Sequence, residues 1–260
     1  MSSVETRKFE PATGTAVNLG ASGDAVTLPA GVTLKTNTIK DAGGNTIFTS
    51  DGAGTLSSVN SALQGGMVFI SSQTASSSAS LSFTSGIDST YDEYLLIGVN
   101  IKNATGTQRV EFQASTDGGS SYGVTATTTA FADYHYEDNS AYGLDYWASQ
   151  DLAQSTSYQM VTPATGSDAD QSSCFTLNLF APSSTTYVKQ FYLYGVAAGQ
   201  HPSSYNAHVA GYFNTTSAIN GLNFKSTSGN IPPEQSTFTV LSNGYIKRKY
   251  YRTRRRNNYD

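Results

Sequence analysis

The sequence predicts an all-β fold, an antiparallel, jelly-roll-like β-sandwich led by an N-terminal stalk of short strands, and three observations predict it. Charged residues make up only 13% of the 260-residue chain, against 24 Gly and 17 Tyr with abundant Ser and Thr, a composition of strands and turns rather than of solvent-facing helices. Apolar residues recur with period two in Leu81 and Phe83, and again in Val110, Phe112 and Ala114, as strands with one buried face require. Between these runs, Tyr94-Leu-Leu-Ile-Gly-Val-Asn-Ile101 reads as a strand covered on both faces. Residues 65–119 thus hold three or four antiparallel strands. The chain is long enough for one large β domain with an appended segment, divided here into an anchor and stalk at 1–64 and a sandwich at 65–260.

Taken in order, residues 1–11 are polar and charged and are expected to order only on a partner. From Ala12 to about Gly65, short apolar pulses (Val17, Leu19, Val26, Leu28, Val32, Leu34, Ile39, Ile47-Phe48, Leu56) alternate with turn clusters such as Asp41-Ala-Gly-Gly44 and Asp51-Gly-Ala-Gly54. Strands of three to five residues with Gly and Asp at the bends fit this pattern. So few large apolar groups cannot bury a core of their own. The segment is therefore expected to stack against copies of itself, as solenoids and intertwined fibre shafts do. A flexible linker is the alternative, disfavoured because linkers rarely space Val, Ile, Leu and Phe regularly.

Ser115-Thr-Asp-Gly-Gly-Ser-Ser-Tyr122 looks like an Asp-box turn, with Ser121 and Tyr122 where Thr and Trp are usual, and Asp117 as a structural acceptor of backbone N–H groups. Residues 123–171 are less regular and rich in aromatic and acidic groups, as binding loops between core strands are. Strands resume at Cys174–Ala181, Tyr187–Ala198, Ala207–Asn214 and Leu222–Lys225. Thr237–Leu241 and Tyr245–Tyr250 flank Asn243-Gly244 and predict a hairpin. The single cysteine, Cys174, is expected to be a buried, apolar thiol.

The succession AVNLGASGDAVTLPAGVTLKTNTIKDAGGNTIFTSDGAGTLSSVN, followed by FISSQTASSSASLSFTSGIDSTYDEYLLIGVNI and STDGGSSY, resembles virion proteins of tailed bacteriophages, in particular fibre-like proteins of phages from marine and cyanobacterial hosts. The similarity covers about residues 12–122. It implies a non-enzymatic homotrimeric appendage on a virion, with other virion proteins of tail or capsid as partners; the start MSSVETRKFEPATG lacks the apolar core of a secretory signal, so assembly in the host cytoplasm is expected. Tail placement is preferred to a capsid-decorating head fibre. The resemblance implies no catalytic residues.

The residues themselves offer three chemistries. Tyr134, Tyr136, Asp145, Tyr146 and Trp147, within the aromatic and acidic stretch 131–151, suit a host surface glycan, since sugars lay C–H faces on aromatic rings and give hydroxyl protons to carboxylates. The same residue types also pack between sheets or between subunits, and the sequence leaves both readings open. Glu137, Asp138, Asp145 and Asp151 could furnish the carboxylate pair of a glycan-degrading, tailspike-like enzyme, an alternative that requires a separation of ~5–9.5 Å across a cleft. His135, His201 and His208 lack zinc-binding spacing, although His201 and His208 could meet across a hairpin; no metal or cofactor is expected.

Charge is distributed unevenly. Residues 1–246 carry 8 Lys/Arg and 18 Asp/Glu, hence −10, whereas 247–260 carry 7 and 1, hence +6. An acidic body would repel a polyanion, so nucleic acid is disfavoured. The tail cations Lys247, Arg248, Lys249, Arg252, Arg254, Arg255 and Arg256 are expected to dock on an acidic surface, of a neighbouring subunit, another virion protein or anionic host lipopolysaccharide. No apolar run approaches the ~18 residues of a membrane helix, so no membrane partner is expected.

Overall fold

The computed structural model describes residues 36–53, 56–59, 66–102, 107–166, 168–199, 201–232 and 236–243. The chain divides at Asn60/Ser61 into two compact units. In the first, β1 (Thr38–Lys40), β2 (Thr46–Ser50) and β3 (Leu56–Val59) form an antiparallel meander in the order β1-β2-β3. The bends follow from short polar side chains closing on their own backbone. Asp41 Oδ1 accepts the Asn45 N–H at 2.8 Å, with Gly44 at φ 81°, and Asp51 Oδ1 accepts the Ala53 N–H at 2.7 Å, with Gly52 at φ 82°. Ile39, Phe48 and Val59 stand side by side across the three strands, yet no described residue of this unit is buried.

The second unit is an antiparallel β-sandwich, with no helix among the described residues. Its strands are β4 (Met67–Thr74), β5 (Ser80–Phe83), β6 (Glu93–Ile101), β7 (Val110–Ser115), β8 (Ala126–Tyr136), β9 (Tyr142–Tyr146), β10 (Gln159–Met160), β11 (Ser173–Phe180), β12 (Lys189–Ala198), β13 (Ser203–Phe213), β14 (Gly221–Ser226) and β15 (Thr237–Asn243). The eight-stranded sheet runs β4-β15-β6-β11-β12-β13-β8-β9 and the four-stranded sheet β10-β7-β14-β5. The early strands do not pair with one another: β14 enters between β7 and β5, and β15 between β4 and β6. Both sheets are thus closed by the last two described strands, β14 and β15.

Alternation along each strand builds the core. Tyr94 and Leu96, Phe175, Leu177 and Leu179, Phe191 and Leu193, and Val209 and Phe213 face Leu81 and Phe83, Val110 and Phe112, and Leu222 and Phe224. Phe112 lies edge-on to Phe191 at 5.3 Å and stacks on Phe224 at 5.9 Å, and Phe224 continues to Phe238 at 5.4 Å, so one ring cluster bridges the layers. The Asp-box turn forms as read: the Ser115 hydroxyl donates to Asp117 Oδ1 at 2.6 Å, and the Ser121 N–H and O–H donate to its two oxygens at 2.9 and 2.6 Å. These donors, Ser115 first, hold the Asp117 carboxyl down at about 2.

Four sequence expectations change. The run 94–101 is covered on one face only; Leu95 and Ile97 are half-buried and Val99 is 43% exposed, because no second layer of described residues packs on the outer face of the large sheet. Cys174 lies on that same outer face and is half-buried, since Ser173 and Phe175 take the inward positions of β11. Residues 123–171 are not a loop insertion throughout: β8 is an eleven-residue strand whose inward positions carry small Ala and Thr, so its alternation has little apolar contrast. Finally, β15 has both edges occupied, by β4 and β6, through Ser242, so no edge is left for the expected hairpin partner. That partner, 245–250, lies outside the described residues, as do the stalk pulses before residue 36 and every tail cation named above.

Candidate functional site

The unequal sizes of the two sheets leave part of the inner face of the large sheet beyond the small one. At ~4.8 Å between strands, eight span about 34 Å and four about 14 Å. The large sheet also outruns the small one lengthwise, because β8 and β13 have 11 residues each while β7 and β14 have 6. Along the inward positions of β8, Ala126, Thr128, Ala130 and Ala132 are buried, then Tyr134 and Tyr136 emerge half-covered. Those two rings are where the sheet overhangs its partner.

A cup of aromatic side chains fills the overhang. Tyr134 faces its cross-strand neighbour Tyr205 at 5.3 Å with planes 11° apart, and Tyr136 lies 5.7 Å from Tyr134 and stacks on His201 at 5.5 Å. Gly143 makes room for Tyr134, since a Cβ there would stand 3.1 Å from its ring. Trp147, positioned by its N–H donating to the Ala130 carbonyl at 2.8 Å, reaches Tyr205 at 5.9 Å, and the Arg109 guanidinium carbon sits 5.3 Å from the Trp147 ring. A cavity of about 210 Å³ opens between Arg109, Tyr136, Trp147, His201, Ser203 and Tyr205.

The electrostatics favour a neutral Tyr205 phenol beside one cation. Burial pushes the Tyr205 phenol up, with the Tyr134, Tyr136 and Asp145 charges adding to it and Arg109 opposing. Burial also pushes Arg109 down from its ordinary value, although a guanidinium stays protonated at any ordinary pH. The cup therefore presents aromatic faces, phenolic hydroxyls and a single fixed positive group. Rings of this kind hold polarised C–H faces, and a few polar groups set orientation.

Of the residues read from sequence, Tyr134, Tyr136 and Trp147 converge in the cup, and Asp145 is close enough for its charge to act on Tyr205. Tyr146 does not join them: it sits opposite Phe131 on the outer face and donates its phenolic hydrogen to Asp151. Arg109, His201 and Tyr205 were not singled out as glycan-binding residues. They come from distant stretches that only the β13–β8 register and the end of β7 bring together.

The carboxylates named for hydrolysis are partly engaged elsewhere, Asp138 capping the Ser140 N–H at 2.9 Å and Asp151 receiving Tyr146. His201 and His208 do not meet. His208 packs on Phe131 at 4.7 Å and Tyr194 at 4.6 Å, beside Asp133 at 3.7 Å, whereas His201 stacks on Tyr136. Among the described residues no group of three or more His, Cys, Asp or Glu side chains could hold a metal ion. Compared with known proteins, the chain matches no family model, no curated protein and no solved structure.

Proposed function

We propose that the chain is a non-enzymatic structural protein of a tailed-phage virion, a homotrimeric fibre or appendage, on the tail rather than the capsid, that projects for attachment or joint reinforcement. One observation carries this reading most of the way: the short-strand meander of residues 38–59 aligns Ile39, Phe48 and Val59 yet buries none of its described residues. A three-stranded sheet whose apolar row is only half-covered by the described residues buries too little to be stable by itself in water. Sister copies supply the missing layer. The outer face of the large sheet supports the same view, because Phe69, Leu241 and Leu95 lie abreast across β4, β15 and β6, with Phe69 64% exposed. Light scattering on the full-length protein tests it: about three times the 27.6 kDa chain mass is expected, and a monomer at micromolar concentration overturns it.

The ring cup supports an accompanying adhesive role, recognition of a host surface glycan. Each cup binds weakly, and several on one particle act together through effective concentration. A glycan array probed with the full-length protein is expected to give hits that Trp147→Ala removes. An array without hits, together with unchanged adsorption of particles carrying Trp147→Ala, overturns this role and leaves the structural one standing.

A further inference from the structure

Arg109 is the feature of the cup that a generic sugar platform does not call for. Its backbone is fixed on both sides, the N–H donating to the Thr227 hydroxyl at 3.1 Å and the carbonyl accepting from the Thr227 N–H at 2.9 Å. Its Nε is shut off from solvent and has no hydrogen-bond acceptor. Among the described residues no carboxylate comes within 4.0 Å of its guanidinium. A cation moved partly out of water is costly unless an anion or acceptor meets it, and a Trp face offsets that cost only in part. A planar donor fork held open at the edge of a cavity is the arrangement that receives a carboxylate or another oxyanion.

We propose that the cup takes an acidic sugar, one pyranose ring whose anionic substituent pairs with Arg109 while its C–H face lies against the Tyr136, Tyr205 and Trp147 rings. The inference rests on the glycan-binding reading of the cup and names its ligand class. At about 210 Å³ the cavity is smaller than the ~300–1,000 Å³ of sites for drug-sized ligands, so it holds a single ring rather than an extended chain. The ligand's orientation follows from charge. The anionic end turns to the Arg109 guanidinium at the edge of the cavity, and Asp145, opposite Ala132 on the inner face of the same sheet, disfavours the reverse orientation. A carboxylate and a sulfate ester satisfy the same fork, so the two are told apart by experiment.

The test uses the full-length protein, with saturation-transfer NMR and calorimetric titration of glucose, glucuronate and glucose 6-sulfate, and an array that pairs neutral with acidic oligosaccharides. Acidic ligands are expected to bind at least about tenfold more tightly than their neutral counterparts, and added salt weakens them selectively. Arg109→Gln is expected to erase that preference, with thermal melting as the check on folding. The comparison of acidic with neutral ligands and its salt dependence need no variant, so they decide even if Arg109→Gln does not fold. Whichever of glucuronate and glucose 6-sulfate binds more tightly identifies the substituent. Equal binding of neutral and acidic sugars, or a preference that persists in folded Arg109→Gln, overturns the acidic-sugar inference while the glycan reading stands. No binding of any sugar overturns both.

Discussion

Tyr94 shows how one hydroxyl ties a strand to the turn before it. The ring is wholly buried, the Asp88 N–H donates to its oxygen at 3.0 Å, and its O–H donates to the Asp88 carbonyl at 3.2 Å. Tyr94→Phe keeps the ring and strands two backbone groups, so unfolding in urea is expected to show a loss of ~1–3 kcal/mol. Burial, above all, pushes this phenol up to about 12 from 10.0. A folded value above the unfolded one means stability that is intact below pH 10 and lost as pH rises toward 12, and Tyr94→Phe is expected to remove that part of the alkaline slope. Asp117 is the opposite case. Its carboxyl titrates at about 2 when folded and 3.8 when free, so its contribution is present above pH 3.8 and is lost as pH falls through 2. Urea midpoints of wild type and Asp117→Ala are expected to differ at pH 5 and converge at pH 2.

Within elements, small residues matter as much as large ones. Phe238, Gly98, Phe175, Gly195, Ala207 and Ala132 form one cross-strand row on the inner face of the large sheet. The Phe175 ring lies over Gly98, where a Cβ would stand 2.2 Å from it, and at Gly195 a Cβ would stand 2.3 Å from the Val161 carbonyl oxygen. A ring can turn aside, but a backbone carbonyl cannot. Gly195→Ala is therefore expected to cost ~1–3 kcal/mol or more in denaturant unfolding. Such rows also explain what the sequence discloses. Period-two runs such as Leu81/Phe83 and Val110/Phe112/Ala114 carry their own contrast and are legible. β8 is not, because its inward Ala and Thr differ little from its outward Thr, and its depth is set by Val209 and Ala207 of the next strand. Half of the cup is legible for a similar reason. Tyr134, Tyr136 and Trp147 sit within one stretch of sequence, whereas Arg109 and Tyr205 join them only through long-range pairing. The Asn243-Gly244 turn signal is locally sound, but pairing of β15 with two earlier strands takes both edges that a hairpin would need.

At the scale of the whole molecule, the two units differ in what they can do alone. The sandwich holds its own buried ring cluster, from Phe83 and Phe112 to Phe224 and Phe238, and β14 and β15 close both of its sheets. The meander of the first unit buries none of its described residues. If sister copies are what cover that meander, removing residues 1–60 takes away the assembling surface and spares the fold. The shortened protein is expected to melt within a few degrees of the parent and to scatter light as a single chain. Its glycan affinity per cup should be unchanged, because every ring of the cup lies beyond residue 61, while its avidity for a multivalent glycan surface should fall by at least about tenfold. A truncated protein that still scatters as a trimer would move the contact to the outer face of the large sheet, where Phe69, Leu241 and Leu95 stand abreast. Substituting Phe69→Ser would then be expected to dissociate it.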